Sequence, residues 1–232
     1  LTDSFPGGGR LPNKGWLLAL AITFGYGLLA FYSLGDMQTA LTSWTPQEKE
    51  SVVLTADGEV DTLIYLPGLT PDDAHYAARV GVNVQVETSL DGTTWTDCGT
   101  LTDGSLFAWK QYTLSTPGNY VRLTTLDNSV TINEVGLKYT GIPALATVTG
   151  EGSCEALLDE QEVVPLETTY KNSSYFDEIY HARTAYEHIL GLEPYENTHP
   201  TLGKLIISMG IRIFGMNPFG WRFMGALFGV LM

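Results

Sequence analysis

The stretch that most constrains this chain is GWLLALAITFGYGLLAFYSL, Gly15 to Leu34, 20 residues without a charge. A helix rises ~1.5 Å per residue, so such a run reaches ~30 Å, the thickness of bilayer hydrocarbon. Trp16 stands near one end and Phe31 and Tyr32 near the other, where an interfacial aromatic belt would place them. The run reads as a transmembrane helix. A signal-peptide core or a buried core helix fits less well: the former is shorter, ~7 to 15 residues, and FYSLGDMQ offers no small-residue cleavage site.

Charge around the run gives an orientation. Arg10 and Lys14 precede it, Asp36 follows, and the next base is Lys49. The positive side is expected in the cytoplasm, so residues 1–14 form a cytoplasmic segment and everything after Leu34 lies outside. The charged residues ahead of the run sum to +1, leaving −15 for the rest, which suits an exported loop.

The whole chain carries −14, with 26 acids against 12 bases, and a phosphate-binding surface needs the opposite excess. Nucleic acid is therefore set aside as a partner. With 232 residues, 44% of them apolar, there is enough material for a cored domain besides the membrane helix. The chain begins at Leu1 rather than Met and stops inside the apolar run ALFGVLM, so a fragment of a longer protein is expected. Cys98 and Cys154 have no C-x-x-C spacing, which argues against a zinc ribbon or a thioredoxin-type site; in an oxidising compartment the two could pair.

Residues 36–142 change texture to short alternating runs separated by turn residues. Val82, Val84 and Val86 share one face, Asp91-Gly92 marks a turn, and WKQYTL, YVRLTTL and INEVGLKYTG follow, divided at TPGN and LDNS. Strands at this spacing predict an antiparallel β-sandwich. Over about residues 50–140 the pattern resembles the discoidin family of jelly-roll sandwiches. That resemblance implies loops at one end that bind sugars or lipid head groups, with Trp95 and Trp109, and also Tyr112 and Tyr120, available to stack on a sugar ring. Core packing of these aromatics is the plainer alternative. Asp91, Asp97 and Asp103 fit turn chemistry more simply than calcium. Residues 143–173 read as a linker.

The segment SSYFDEIYHARTAYEHIL, residues 173–190, opens with Ser174 three positions before Asp177 and is followed by Gly191, a start and a stop for a helix over about Tyr175 to Leu190. Phe176, Ile179, Tyr186 and Leu190 fall on one stripe; Asp177, His181, Thr184 and His188 fall on another. Three readings of the acidic pair stay open here: first-turn acids complementing the helix dipole, a divalent metal site formed by Asp177, Glu178 and His181, or general acid-base catalysis. Downstream, Pro200 suits the head of an amphipathic helix from about Thr201 to Phe214, Gly215 breaks it, and Asn217-Pro218 starts an apolar helix that reads as the opening of a second membrane span.

FDEIYHAR followed by THPTLGKLIISMGIRIFG, NPFGWR and GALFGVL resembles the phospholipid-carrier-dependent protein O-mannosyltransferases, glycosyltransferases of the GT-C superfold. The likeness covers about residues 174–232, and the topology of residues 15–34 agrees with it. Position by position, Asp177 and Glu178 match the family's acidic pair, His199-Pro200 and Leu202-Gly203-Lys204 its second motif, and Arg222 its arginine. Thr201 stands where the family usually has a second proline, and a sandwich ahead of the acidic pair is not its usual arrangement.

The resemblance implies an α+β membrane protein with an inserted extracytoplasmic sandwich, and transfer of a sugar, mannose by analogy, from a polyprenyl-phosphate donor to a Ser/Thr hydroxyl of a protein acceptor with inversion. Asp177 would be the base, Glu178 would orient the acceptor or raise the pKa of its neighbour, and His199, Lys204 and Arg222 would meet the donor phosphate. The 232 residues alone are expected to be inactive, because most of a sugar pocket would come from further spans. Two alternatives are a membrane-anchored carbohydrate-binding or adhesion protein whose sandwich binds a glycan, and an enzyme of the same superfold that transfers another sugar to a lipid or wall polymer.

Overall fold

The computed structural model describes residues 15–69, 82–127 and 130–232. The proposed cytoplasmic segment 1–14, with Arg10 and Lys14, lies outside the described residues. The uncharged run forms helix α1, Gly15–Phe31, 17 residues of which none is buried. Among the described residues no helix is long and apolar enough to cross a membrane.

Among the described residues seven strands follow: β1 Ser51–Pro67, β2 Val84–Ser89, β3 Thr96–Leu101, β4 Lys110–Thr125, β5 Ile132–Tyr139, β6 Ile142–Pro143 and β7 Ala146–Gly150. They pair antiparallel in the order β3-β2-β4-β1-β5-β6, with β7 also on β1. The long strand β1 organises this sheet. Its first part, Val52 to Ala56, pairs with β7, whereas Thr62 to Pro67 pair with β5. Register shifts lie between these parts, where β1 faces Gly118 of β4. Bulges of this kind bend a strand and increase its twist, which lets one hydrogen-bonded sheet fold over into an antiparallel sandwich. The inward residues of both halves, among them Leu54, Leu63, Val86, Val121, Leu123 and Ile132, share one apolar core with Trp44 and Leu157.

Two sequence expectations change here. TPGN was expected to be a turn between two strands, yet Lys110–Thr125 is one continuous strand. Pro117 and Gly118 sit at its bend, and a Cβ at Gly118 would lie 2.7 Å from the Ser89 carbonyl oxygen. Cross-strand pairing on both sides has overridden the local turn signal. The linker was expected to begin at residue 143, but Ala146–Gly150 adds a strand, so the sandwich extends to residue 150. Cys98 and Cys154 are both buried and free.

Three helices complete the described chain: α2 Glu178–Leu190, α3 Thr201–Phe214 and α4 Pro218–Leu231. Their ends obey local rules. Gly191 closes α2 in the left-handed conformation at φ 72°, and Asn217 accepts the Gly220 N–H at 2.8 Å to cap α4, with Pro218 in its first turn. Where α3 and α4 cross, a Cβ on Gly210 would lie 2.3 Å from the Gly220 carbonyl oxygen, so the close approach requires glycine. Helix α4 also returns alongside α1, with Phe31 and Phe223 ring centroids 5.3 Å apart.

The helices dock on the sandwich through Leu69, Leu106 and Phe107, which pack with Ala182, Ala185, Ile211, Met216 and Trp221. Ser174 was expected to cap α2. Instead its hydroxyl donates to the Leu106 carbonyl at 3.0 Å and its N–H to the Phe107 carbonyl at 2.8 Å, which fastens the approach to α2 onto the sandwich. The helix consequently starts later than expected, at Glu178, after a left-handed Phe176 that is 77% exposed.

Candidate functional site

Helix α2 presents an unusual buried face. Ala182 and Ala185 are small enough to let Arg183, Thr184 and Glu187 go inside with them, while Leu190 of the anticipated apolar stripe is exposed. The buried charges are paired: Arg183 Nε donates to Glu187 Oε1 at 2.8 Å. Glu187 Oε2 then accepts the Tyr195 N–H at 2.6 Å, and Thr184 Oγ1 accepts the Glu196 N–H at 3.3 Å. The Arg183 guanidinium lies 3.8 Å from the centre of the Tyr195 ring. These contacts fold the connection after α2 back along the helix and so fix Glu196.

Glu196 is the centre of the next layer. Its carboxylate takes an ion pair from Lys204 Nζ, the Thr198 N–H at 2.5 Å and hydroxyl, and the His199 N–H at 3.1 Å. Burial opposes the charge, but the hydrogen bonds from Lys204, Thr198 and His199 outweigh it and hold the carboxyl well below the usual carboxylate range. Lys204, expected to face a phosphate, is 3% exposed and also donates to the Glu196 carbonyl.

Arg222 is likewise engaged. Its Nε and Nη2 form a two-pronged bond to Glu178 at 2.6 and 2.5 Å, Nη1 donates to the Leu34 carbonyl at 2.9 Å, and Nη2 donates to the Ser173 carbonyl at 3.1 Å. Glu178 in addition accepts the Tyr175 N–H at 3.0 Å. The acidic pair is therefore split in role: Glu178 is held by the arginine, whereas Asp177 is exposed at the helix start and its side chain makes no capping hydrogen bond.

Asp177 lines an open cleft of about 290 Å³ with Tyr180, His181, Tyr195, Thr198 and His199. Tyr180 and Tyr195 stack across its edge with centroids 6.2 Å apart. The structure thus brings Asp177, His181 and His199 together and places two of the three expected phosphate ligands, Lys204 and Arg222, in ion pairs. The metal set expected from Asp177, Glu178 and His181 does not assemble, because Arg222 takes Glu178. Ligand atoms of His181 instead meet those of Glu196 and His199, all within 4.8 Å of one another. Glu196-x-x-His199 has the spacing that marks paired ligands in a chain, a signal passed over because these residues read as a turn.

The sandwich aromatics fare differently from their expected role. Trp109, 5% exposed, packs with Ala40, Ile64 and Leu66 and offers no ring face for stacking. Trp95 is half-buried, with the Arg122 guanidinium 4.2 Å from its ring centre. Asp91 accepts the Thr93 and Thr94 N–H groups at 2.8 and 2.7 Å, and Asp103 pairs with Lys110 at 2.7 Å, which is turn and strand chemistry.

No family model matches the chain. A polyprenol-phosphate-mannose-protein mannosyltransferase of Mycobacterium tuberculosis strain H37Rv is 59% identical over 34 residues, which are 15% of this chain and 6% of that protein. The same match is found in strain CDC 1551. The matched stretch is thus a small part of the mycobacterial enzyme. Among solved structures, a pectin-binding carbohydrate-binding module is 19% identical, with a TM-score of 0.35 over 47% of this chain and 80% of the module. The CBM32 of AlyQ, solved with 4,5-unsaturated mannuronic acid, is 16% identical, with a TM-score of 0.33 over 46% of this chain and 81% of that one.

Proposed function

We propose that this chain belongs to a membrane glycosyltransferase that moves a sugar, mannose on the strength of the mycobacterial match, from a polyprenyl phosphate to a Ser/Thr hydroxyl of a protein. The observation that carries the reading is Asp177: an exposed carboxylate at the mouth of a cleft, while the carboxylates around it, Glu178 and Glu196, are neutralised by Arg222 and Lys204. The 59% identity over 34 residues of the mannosyltransferase supports the same reading.

The chemistry runs as a single displacement. The acceptor hydroxyl gives its proton to Asp177 as its oxygen bonds to the anomeric carbon, and the bond from that carbon to the phosphate oxygen breaks. Polyprenyl phosphate leaves with the electron pair, and the anomeric centre inverts. His199, exposed on the same cleft, is assigned the hydrogen bond to the leaving phosphate. Glu178 and Arg222 act as positioning residues that hold the start of α2. The uncharged helix α1, with Leu17, Leu18, Ile22, Phe24 and Leu29 exposed, and α4 beside it are assigned to the membrane, with the sandwich and the cleft on its outer face. A glycan-binding role for the sandwich is less well supported, since Trp109 is packed and Trp95 carries Arg122 on its ring.

The test is transfer from polyprenyl-phosphate mannose to a Ser/Thr peptide by the full-length protein in detergent. Asp177→Asn is expected to lower the rate by two or more orders of magnitude with an unchanged circular dichroism spectrum. Equal rates for the two proteins would return Asp177 to a helix-start role, and no transfer by either would remove the reading.

A further inference from the structure

The histidine pair in the cleft has no part in the core. His181 rises from α2 one turn after Asp177, and the connection 191–200 returns to bring Glu196 and His199 against it. The two imidazole rings meet edge to face, with centroids 5.0 Å apart. A ring nitrogen of each and a carboxylate oxygen of Glu196 lie within 4.8 Å of one another. Ligands bound at ~2.0–2.2 Å to one tetrahedral ion stand ~3.4 Å apart, so the set would draw in on loading, and the two rings, one exposed and one half-buried, are the groups that would turn.

We propose that His181, Glu196 and His199 bind a divalent transition-metal ion of the zinc class. Two imidazoles and one carboxylate suit zinc or cobalt and disfavour magnesium and calcium, which prefer oxygen ligands throughout. Three protein ligands also leave a coordination position for water or substrate, as in catalytic rather than structural zinc sites. The site is built: Thr184 and Glu187 of α2 hold residues 195 and 196 by their N–H groups, so Glu196 is set before any ion arrives.

Charge and hydrogen bonding set the limits. Lys204 neutralises Glu196, and Asp177 on the same cleft supplies a further negative charge toward a cation. A carboxylate has about four acceptor directions. On Glu196, Oε1 takes the Thr198 and His199 N–H groups and the Thr198 hydroxyl, and Oε2 takes Lys204 Nζ. The Thr198 hydroxyl is the donor that can turn away to leave room on Oε1 for an ion. In the transferase reading such an ion, held by His199, would take that residue's place at the leaving phosphate and add, beside Asp177, the positive charge that Lys204 and Arg222 spend on carboxylates. That last link rests on the proposed function; the site itself does not.

The experiment is a Co(II) titration of the full chain in detergent after chelator stripping, read by visible d–d absorption and by bound metal per chain. Wild type is expected to take one equivalent with bands of a four- or five-coordinate ion. His199→Ala and His181→Ala should each weaken binding by at least tenfold, whereas His188→Ala should match wild type. His199 is exposed, so its variant decides the matter even if His181→Ala fails to fold. Absence of Co(II) bands in wild type, or equal affinity in wild type and His199→Ala, overturns the site. One bound Co(II) in a protein that transfers no sugar supports the site while removing the transferase reading.

Discussion

The sandwich and the helical unit hold themselves together by different means. In the sandwich, apolar side chains fill the interior, acids such as Asp91 and Asp97 spend their oxygens on backbone N–H groups two or three residues away, and the Arg122–Glu87 pair between β4 and β2 lies at its partly exposed surface. In the helical unit, Arg183–Glu187, Lys204–Glu196 and Arg222–Glu178 are ion pairs on largely buried side chains, and the last two join separate elements. Local acid chemistry leaves a module indifferent to its surroundings. Pairing at a distance makes the position of each helix depend on the others, and it leaves Asp177 exposed on the cleft beside the ion-paired Glu196.

Four measurements can break or sharpen that contrast. Glu187→Ala strands the Arg183 guanidinium in the interior and is expected to cost about 4 kcal/mol in chemical denaturation of the full chain. The double replacement Arg183→Met with Glu187→Leu should recover most of it; a single-variant cost below that of a surface residue would dissolve the contrast. Leu63→Ala, at a fully buried position of the sandwich, should cost about 3 kcal/mol through lost transfer energy and the cavity left behind. If it exceeds Glu187→Ala, apolar burial dominates in both regions. Arg222→Met is expected to cost about 2 kcal/mol, less than Glu187→Ala because Glu178 keeps partial access to water. Its loss should be relieved by adding Glu178→Gln, and thermal melts of the single and double variants check this.

The smallest effect tests a buried carboxyl within the sandwich. Burial pushes the Glu134 carboxyl up to about 8 from the ordinary 4.5, with Asp159 adding to it and the Glu160 and Gln161 hydrogen bonds opposing. The folded state therefore binds this proton more tightly than the unfolded chain does. The stability it contributes is full below about 4.5 and is lost as pH rises to about 8. Glu134→Gln cannot ionise, so, whatever constant cost the amide carries, the variant should gain on wild type between pH 5 and pH 9 in urea denaturation. A difference that stays constant over that range would place the carboxyl at its ordinary value.

What the sequence disclosed follows the range of the interactions. Gly191, Gly215 and Asn217-Pro218 mark helix ends because caps are settled within a few residues, and the alternating valines disclose β2 for the same reason. The continuity of β4 through Pro117-Gly118 depends on partners in β1 and β2, so TPGN misled. The buried face of α2 was assigned to the wrong stripe because Arg183 and Glu187 satisfy each other, and hydropathy counts both as surface residues. Asp177 and His181 were legible as candidate site residues by type and spacing, and His199 through the family resemblance. The partners that occupy Lys204 and Glu178 were not, since one arises from a backbone reversal and the other from a residue 44 positions away.

The Arg222 guanidinium touches Leu34, 188 positions earlier, as well as Ser173 and Glu178. During synthesis, then, the chain end of α1 waits for its partner until the whole sandwich and two helices have emerged. The sandwich contains its own pairing partners between residues 51 and 150 and can close while the ribosome is still making α2. The start of the acidic pair is thus locked last, and a ribosome stalled before residue 222 would carry a finished sandwich beside an unset Asp177.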